Sequence, residues 1–329
     1  MERKAERIAN DEYIMALSKK LAPPVRVRAS EQELNSFLDS VYTLKDIQPQ
    51  NDPMHFEDSV FHNRVDMSLL INEKDFEALR IGAKKGKLDL VTANKIFTYP
   101  LDSTYISGNY VQIIFFPFNR NREFKEFAIC IGAPVIGYEN DVYFFKENKV
   151  IAFHPIYHRY GLGIESFKDA DKRTTIYYSE NFGGGTGPSQ FNLFFYKYVD
   201  NKLVPVLNIP VSSMRDGFEG FAYDMDAEIL KTAPLILRYF FNQELTDTAN
   251  NSVELVNDSA IIRFSWDEKK LAYTSKYSDK LSYQNLMSYA DYDNMYIIKD
   301  YYPIFKSILA GKDTIKQNIV LNYLDNIRN

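Results

Sequence analysis

Cysteine is almost missing from this chain: Cys130 is the only one in 329 residues. A single thiol excludes an intramolecular disulfide and any cysteine-rich zinc site. Cys130 sits in the apolar run Phe127-Ala128-Ile129-Cys130-Ile131, where it reads as a small buried hydrophobe and not as a nucleophile. Histidines number four and tryptophans one, and no apolar run approaches the roughly 20 residues that a membrane span needs. Glycine (14) and proline (13) are too few for a collagen-like or low-complexity chain. Positive charge is also short, since 39 Lys and Arg face 44 Asp and Glu and leave a net charge of −5. Nucleic-acid binding draws on clustered cations, so no nucleic-acid partner is expected. The densest basic run, Lys84-Lys85-Gly86-Lys87, reads as the polar end of a helix.

Several active-site signatures are missing as well. There is no G-x-S-x-G, S-x-x-K, G-K-[ST] or H-E-x-x-H, so no cofactor is expected. The residues Met1 to Lys20 are amphipathic with both signs of charge, unlike a signal peptide. Scarce cysteine fits the cytoplasm and equally an exported bacterial protein. An extracytoplasmic location with the leader removed is the expectation.

What the chain has in excess is aromatic: 24 Tyr and 24 Phe, which with the tryptophan make 15%. Their arrangement points to an α+β fold. Ala5, Ala9, Tyr13, Leu17 and Leu21 repeat at helical spacing, and Pro23-Pro24 ends that stretch. Ser30 and Glu33 form a capping box ahead of Leu34, Phe37, Leu38 and Val41. Asn72 caps a further helix, with Gly82 and Gly86 as stops.

From about residue 95 the period changes from 3.6 to 2. Strands are expected at Tyr110 to Phe116, Glu126 to Ile131, Asp141 to Phe145, Val150 to Phe153, Thr174 to Tyr178, Phe191 to Tyr198 and Leu203 to Leu207. Short connections between them imply antiparallel pairing. Residues 142–153, 193–207 and 262–273 share a pattern of aromatic run, charged turn and apolar return. That pattern suits recurrent hairpins or a degenerate propeller. Helices return near Ile304 and after Asp313. The expected organisation is a mainly helical segment 1–94, an antiparallel β-rich core 95–300, sandwich-like or propeller-like, and C-terminal helices 301–329 packed back on it.

Four groups of residues could carry function. The run Gly183-Gly184-Gly185-Thr186-Gly187-Pro188-Ser189 holds four of the 14 glycines. Strand-like residues follow it, so it reads as a hairpin connection and not a phosphate loop. Close approach to a partner's backbone is one reason to keep such a loop, with Tyr177 and Tyr178 beside it. His154 and His158 have H-x-x-x-H spacing, but Pro155 and the extended reading separate them; surface or half-buried histidines without metal are expected. Asp216 and Glu219, with Asp224 and Asp226, are paired carboxylates that could serve as acid and base, as could Glu180. Asp226 also reads as the cap of a helix beginning at Ala227.

The resulting expectation is a non-catalytic recognition protein binding a protein or a glycan through Gly183, Gly184, Gly185, Thr186, Gly187, Ser189, Tyr177 and Tyr178, as an inhibitor or immunity-type protein would. The alternatives are a hydrolase, acting on glycans through its paired carboxylates, and a structural or scaffold domain. A catalytic reading needs two carboxylates converging in a concave pocket.

Overall fold

The structure is a computed structural model that describes residues 28–45, 64–119, 121, 123–132, 139–157, 161–183, 189–215, 220–275 and 294–328. The stretch Met1 to Lys20 lies outside these residues. Two antiparallel sheets dominate, with helices at both ends of the chain.

The helix starts follow their capping chemistry. In α1 (Glu31–Thr43) the Ser30 hydroxyl accepts from the Glu33 N–H, and the Glu33 carboxylate accepts from the Ser30 N–H at 2.8 Å. Such a cap stabilises a helix by about 1 kcal/mol. Helix α2 (Glu73–Lys85) is capped by Asn72, whose Oδ1 accepts from Asp75 N at 2.9 Å. It stops at Gly86, which takes a left-handed φ of 70° that a side chain would resist. Helix α3 (Leu90–Ile96) starts at Asp89. At the other end of the chain, α4 (Asn294–Asp300), α5 (Tyr302–Leu309) and α6 (Thr314–Arg328) follow in close succession. Asp313 Oδ1 accepts from the N–H groups of Ile315 and Lys316, which opens α6 as its sequence suggests.

The first sheet has seven strands. Its centre is a run of hairpins: β4 (Tyr110–Pro117), β5 (Glu126–Ile131), β6 (Glu139–Lys146) and β7 (Lys149–Tyr157). Strand β1 (Val65–Leu70) pairs with β7, while β2 (Lys87–Asp89) and β3 (Ile106–Ser107) pair with β4. The sheet therefore begins at Val65, earlier than the change of period near residue 95 suggests. Short, partly exposed strands such as β1 carry too little alternation to be read locally.

The second sheet is an eight-stranded meander. It runs β8 (Glu165–Lys168), β9 (Thr174–Gly183), β10 (Ser189–Val199), β11 (Lys202–Arg215), β12 (Phe221–Thr232), β13 (Leu235–Thr246), β14 (Ser252–Asp267) and β15 (Ala272–Ser275), each paired with the next. The three look-alike segments are the β6–β7, β10–β11 and β14–β15 hairpins, one in the first sheet and two in the second. Asp226 stands inside β12, so it caps no helix at Ala227. The alternation of buried Phe221, Tyr223 and Met225 prevails over the helix-forming Ala-Glu-Ile-Leu sequence.

Packing joins these parts through opposite faces. Leu79, Ala93 and Ile96 of α2 and α3 cover one face of the first sheet with Phe127, Ile129, Tyr143 and Phe145. Its other face brings Ala128, Cys130, Phe144 and Ile156 against Ile176, Tyr178, Phe194, Tyr196 and Tyr198 of β9 and β10. Burial pushes the Cys130 thiol up to about 12, as suits a buried hydrophobe. The second sheet curls so that its far face packs on itself: Phe195, Ile209, Met225, Leu237, Tyr239 and Phe264 share one cluster, and β15 lies against β11. Leu34 and Leu38 of α1 join α4–α6 over Phe221, Tyr223, Leu245 and Val253. The backbone N–H of Ala29 donates to Asp325 at 3.0 Å, which ties α1 to α6.

Candidate functional site

The candidates named from sequence scatter. Gly184, Gly185, Thr186, Gly187 and Pro188 lie outside the described residues, as do His158, Asp216 and Glu219. Gly183 and Ser189 face one another at the ends of β9 and β10, so the run does connect a hairpin. Asp224 is exposed on β12, its carboxyl raised by partial burial and by Asp226. Tyr177 faces the interior of the second sheet, stacked on Phe195 at 5.2 Å. Tyr178 is only 1% exposed and offers no area to a partner.

Three candidates do meet. Ile176, Tyr178 and Glu180 alternate onto the face of β9 that packs against the first sheet, where His154 of β7 lies. His154 is 2% exposed and not on the surface, since β7 continues through Pro155 to Tyr157. Its Nδ1 is 2.9 Å from the Tyr178 hydroxyl. Arg64, just before β1, reaches into the same layer. It donates to Glu180 Oε1 at 2.5 Å, to the Tyr196 hydroxyl at 3.3 Å and to the Pro155 carbonyl. The Arg64 and Glu180 side chains are 7% and 4% exposed. Burial pushes the Glu180 carboxyl up to about 7, although Arg64 draws it down. Burial and then Arg64 hold His154 well below its usual range, which keeps the ring neutral. The group forms a hydrogen-bonded polar bolt between the sheets, with Glu180 only 3% exposed.

A second polar group, absent from the sequence-level candidates, opens to solvent. Asp169 and Asp171 lie in the turn between β8 and β9. Lys197, on β10, faces the interior of the curled sheet opposite Thr175 and is fully buried. Its ammonium lies 2.5 Å from Asp169 Oδ2 and 2.8 Å from Asp171 Oδ2, and 3.7 Å from the centre of the Trp266 ring. Tyr273 donates to Asp169 Oδ2 at 2.9 Å, and its ring meets Trp266 edge-on at 5.7 Å and 70°. The indole N–H donates to Glu268, which Arg173 holds with two nitrogens at 3.0 Å.

Trp266 is thus fixed at three points. Beside it a concavity of about 390 Å³ runs over Leu235, Pro234 and Phe264 to the two aspartates. Burial raises the Asp169 carboxyl, and Asp171 adds to this. Asp171 is drawn the other way: burial would raise it, but hydrogen bonds from Asp169 and Lys197 bring it to about 2. Two carboxylates therefore converge in a concave place with opposite shifts. Yet Asp169 Oδ2 already accepts from Lys197, Tyr273 and, at 3.4 Å, Thr175. Oδ2 is thus spent on the protein and Oδ1 accepts from the Asp171 N–H at 3.3 Å, which suits a rigid wall better than a moving proton.

Asp169-Ala170-Asp171 has the same D-x-D spacing as Asp224 and Asp226. Lys197 interrupts the aromatic run Phe194-Phe195-Tyr196, which is a signal in itself, because a lysine at a core-facing strand position must find an anion. Among the described residues no cluster of three His, Cys, Asp or Glu is placed to hold a metal, and no helix is long and apolar enough to cross a membrane. Comparison with protein-family models, curated proteins and solved structures finds no match for this chain.

Proposed function

We propose that the protein is a non-catalytic recognition module whose ligand seats against Trp266 in the concavity between the β8–β9 turn and the β12–β13 turn. The observation that carries this reading is the immobilised Trp266. An aromatic side chain whose orientation is fixed before the ligand arrives loses little entropy on binding, the mark of an interface anchor. The concavity is mostly apolar, with Pro234, Leu235 and Phe264 as its floor and two carboxylates at its wall. Its volume of about 390 Å³ matches a small-molecule ring and not a protein face. A ring with one flat C–H face and several hydroxyl donors fills these requirements, so the favoured ligand is a glycan.

The hydrolase alternative draws support from the opposed shifts of Asp169 and Asp171 but requires a free carboxyl oxygen, and Asp169 has little to spare. One experiment addresses both. Trp266 is the chain's only tryptophan, so emission excited at the red edge, where the 24 tyrosines do not absorb, reports on this site alone. Titration with soluble oligosaccharides is expected to shift or quench the emission saturably, without release of reducing ends. Saturable binding with steady release of reducing ends would make the protein a hydrolase. No response to any neutral or charged oligosaccharide at millimolar concentration would refute the glycan reading.

A further inference from the structure

A different region gathers the charge that the chain as a whole lacks. Beneath the carboxyl end of α2 a cleft of about 770 Å³ is lined by Arg80, Lys84, Lys85 and Gly86 on one side and by Phe115 and Phe124 on the other. The cations are not equally engaged. Arg80 is paired with Glu77 at 2.9 Å, and its guanidinium lies 5.7 Å from the centre of the Phe124 ring. Lys84 and Lys85 have no carboxylate within ion-pair distance among the described residues, and both are exposed. Glu123, the acid in the lining, is taken by Lys125 at 3.1 Å.

Lysines in a last helical turn are explained in part by the helix dipole. That end carries only about half a negative charge, against two full cations, so positive potential remains over the cleft. The dipole also gives no reason for the aromatic floor, where Phe115 and Phe124 stack at 4.6 Å and 20°. Unpaired cations beside a planar apolar wall are what a ligand with an anionic end and a flat ring requires. The volume lies within the range of small-ligand sites.

We infer that this cleft binds a nucleoside phosphate, the phosphates on Lys84 and Lys85 and the base against Phe124 and Arg80. This goes beyond the glycan reading and does not depend on it, because the two concavities share no residue. Calorimetric titration of the full chain with ATP, inorganic tripolyphosphate and adenosine tests the inference. ATP is expected to bind in the micromolar to submillimolar range, at least ten-fold tighter than either fragment, and more weakly as salt rises. K84E/K85E, at two exposed positions, is expected to weaken ATP at least ten-fold while the Trp266 emission stays unchanged and the melting temperature falls by no more than a few degrees, the cost of two acids at the carboxyl end of the helix. Absence of ATP binding at millimolar concentration would overturn the inference. Binding unaffected by K84E/K85E would also overturn it, and so would tripolyphosphate matching ATP, since the aromatic floor would then contribute nothing.

Discussion

Replacing Arg64 by alanine is expected to destabilise the protein by an amount that depends on pH. The guanidinium is the one cation within ion-pair distance of Glu180 among the described residues, and both side chains are nearly inaccessible. Removing one partner of a buried pair typically costs about 3–5 kcal/mol, because the other charge is stranded in a poorly solvating interior. At pH 8 the parent holds Glu180 as a paired carboxylate, whereas the variant must either strand that charge or keep the carboxyl protonated, and the penalty is largest. Near pH 5 the same carboxyl is protonated in the folded state, so roughly half the penalty is expected to remain, from lost hydrogen bonds to Tyr196 and Pro155.

The direction follows from proton linkage. Glu180 titrates near 4.5 when unfolded and is pushed up to about 7 in the fold, chiefly by burial. A raised carboxyl favours the folded state below the unfolded value and loses that contribution as pH climbs through the folded one. For the unmodified chain this amounts to about 3 kcal/mol lost between pH 4.5 and 7. Arg64→Ala removes a cation that lowers Glu180, so the loss should extend to higher pH in that variant.

Denaturant unfolding of the parent, Arg64→Ala and Arg64→Met/Glu180→Leu at pH 5 and pH 8 measures all of this. The double variant leaves no orphan charge and is expected to recover most of the stability lost at pH 8. A penalty that is equal at the two pH values, or a double variant as unstable as Arg64→Ala, would refute the buried-pair argument.

Other consequences are as concrete. Gly132→Ala places a methyl 2.3 Å from the Tyr105 ring at a φ of 78°, so a loss of 2 kcal/mol or more is expected, visible as a lowered unfolding midpoint. The Cys130 thiol, buried and raised to about 12, is expected to resist maleimide in native buffer and to react at the rate of unfolding; rapid native labelling would contradict its placement. Lys197→Met leaves Asp169 without its cation, leaves Asp171 only Arg173 at 3.4 Å, and takes the ammonium away from Trp266. A loss of about 3 kcal/mol with altered Trp266 emission should follow. Unchanged fluorescence in that variant would show that the indole is not held by this network.

How far these features could be read from sequence depends on the range of the interactions behind them. Helix starts were legible because a cap is made within four residues: Ser30 with Glu33, Asn72 with Asp75, Asp313 with Ile315. Hairpins were legible for the same reason, but their lengths were not. Strand β11 was expected to stop at Leu207 and runs on to Arg215 through Pro205 and Pro210, residues that ordinarily break a central strand. Bulges in β11 beside them accommodate the missing N–H groups: Val206 is the extra residue opposite the Phe195–Tyr196 step of β10, and Val211 the extra residue opposite the Phe191–Asn192 step. The bulged residues directly follow the prolines, but only the pairing with β10 reveals that the strand continues through them.

The sites push the same logic to its limit. Asp169, Lys197 and Trp266 come from a turn and two strands that are not neighbours in the sheet, and they meet only because an eight-stranded meander coils upon itself. A linear reading can notice that Lys197 stands at a core position, but the anion that answers it is fixed by the curvature of the sheet. The glycine-rich run drew attention by composition, a local property, and composition cannot report which side chains a coiled sheet gathers at its mouth. Curvature also explains why the two aspartate pairs differ. Asp224 and Asp226 lie on a face that turns outward to solvent, whereas Asp169 and Asp171 sit where the sheet turns inward over a buried ammonium. The same D-x-D spacing is therefore a solvated edge in one place and the wall of a ligand-sized concavity in the other.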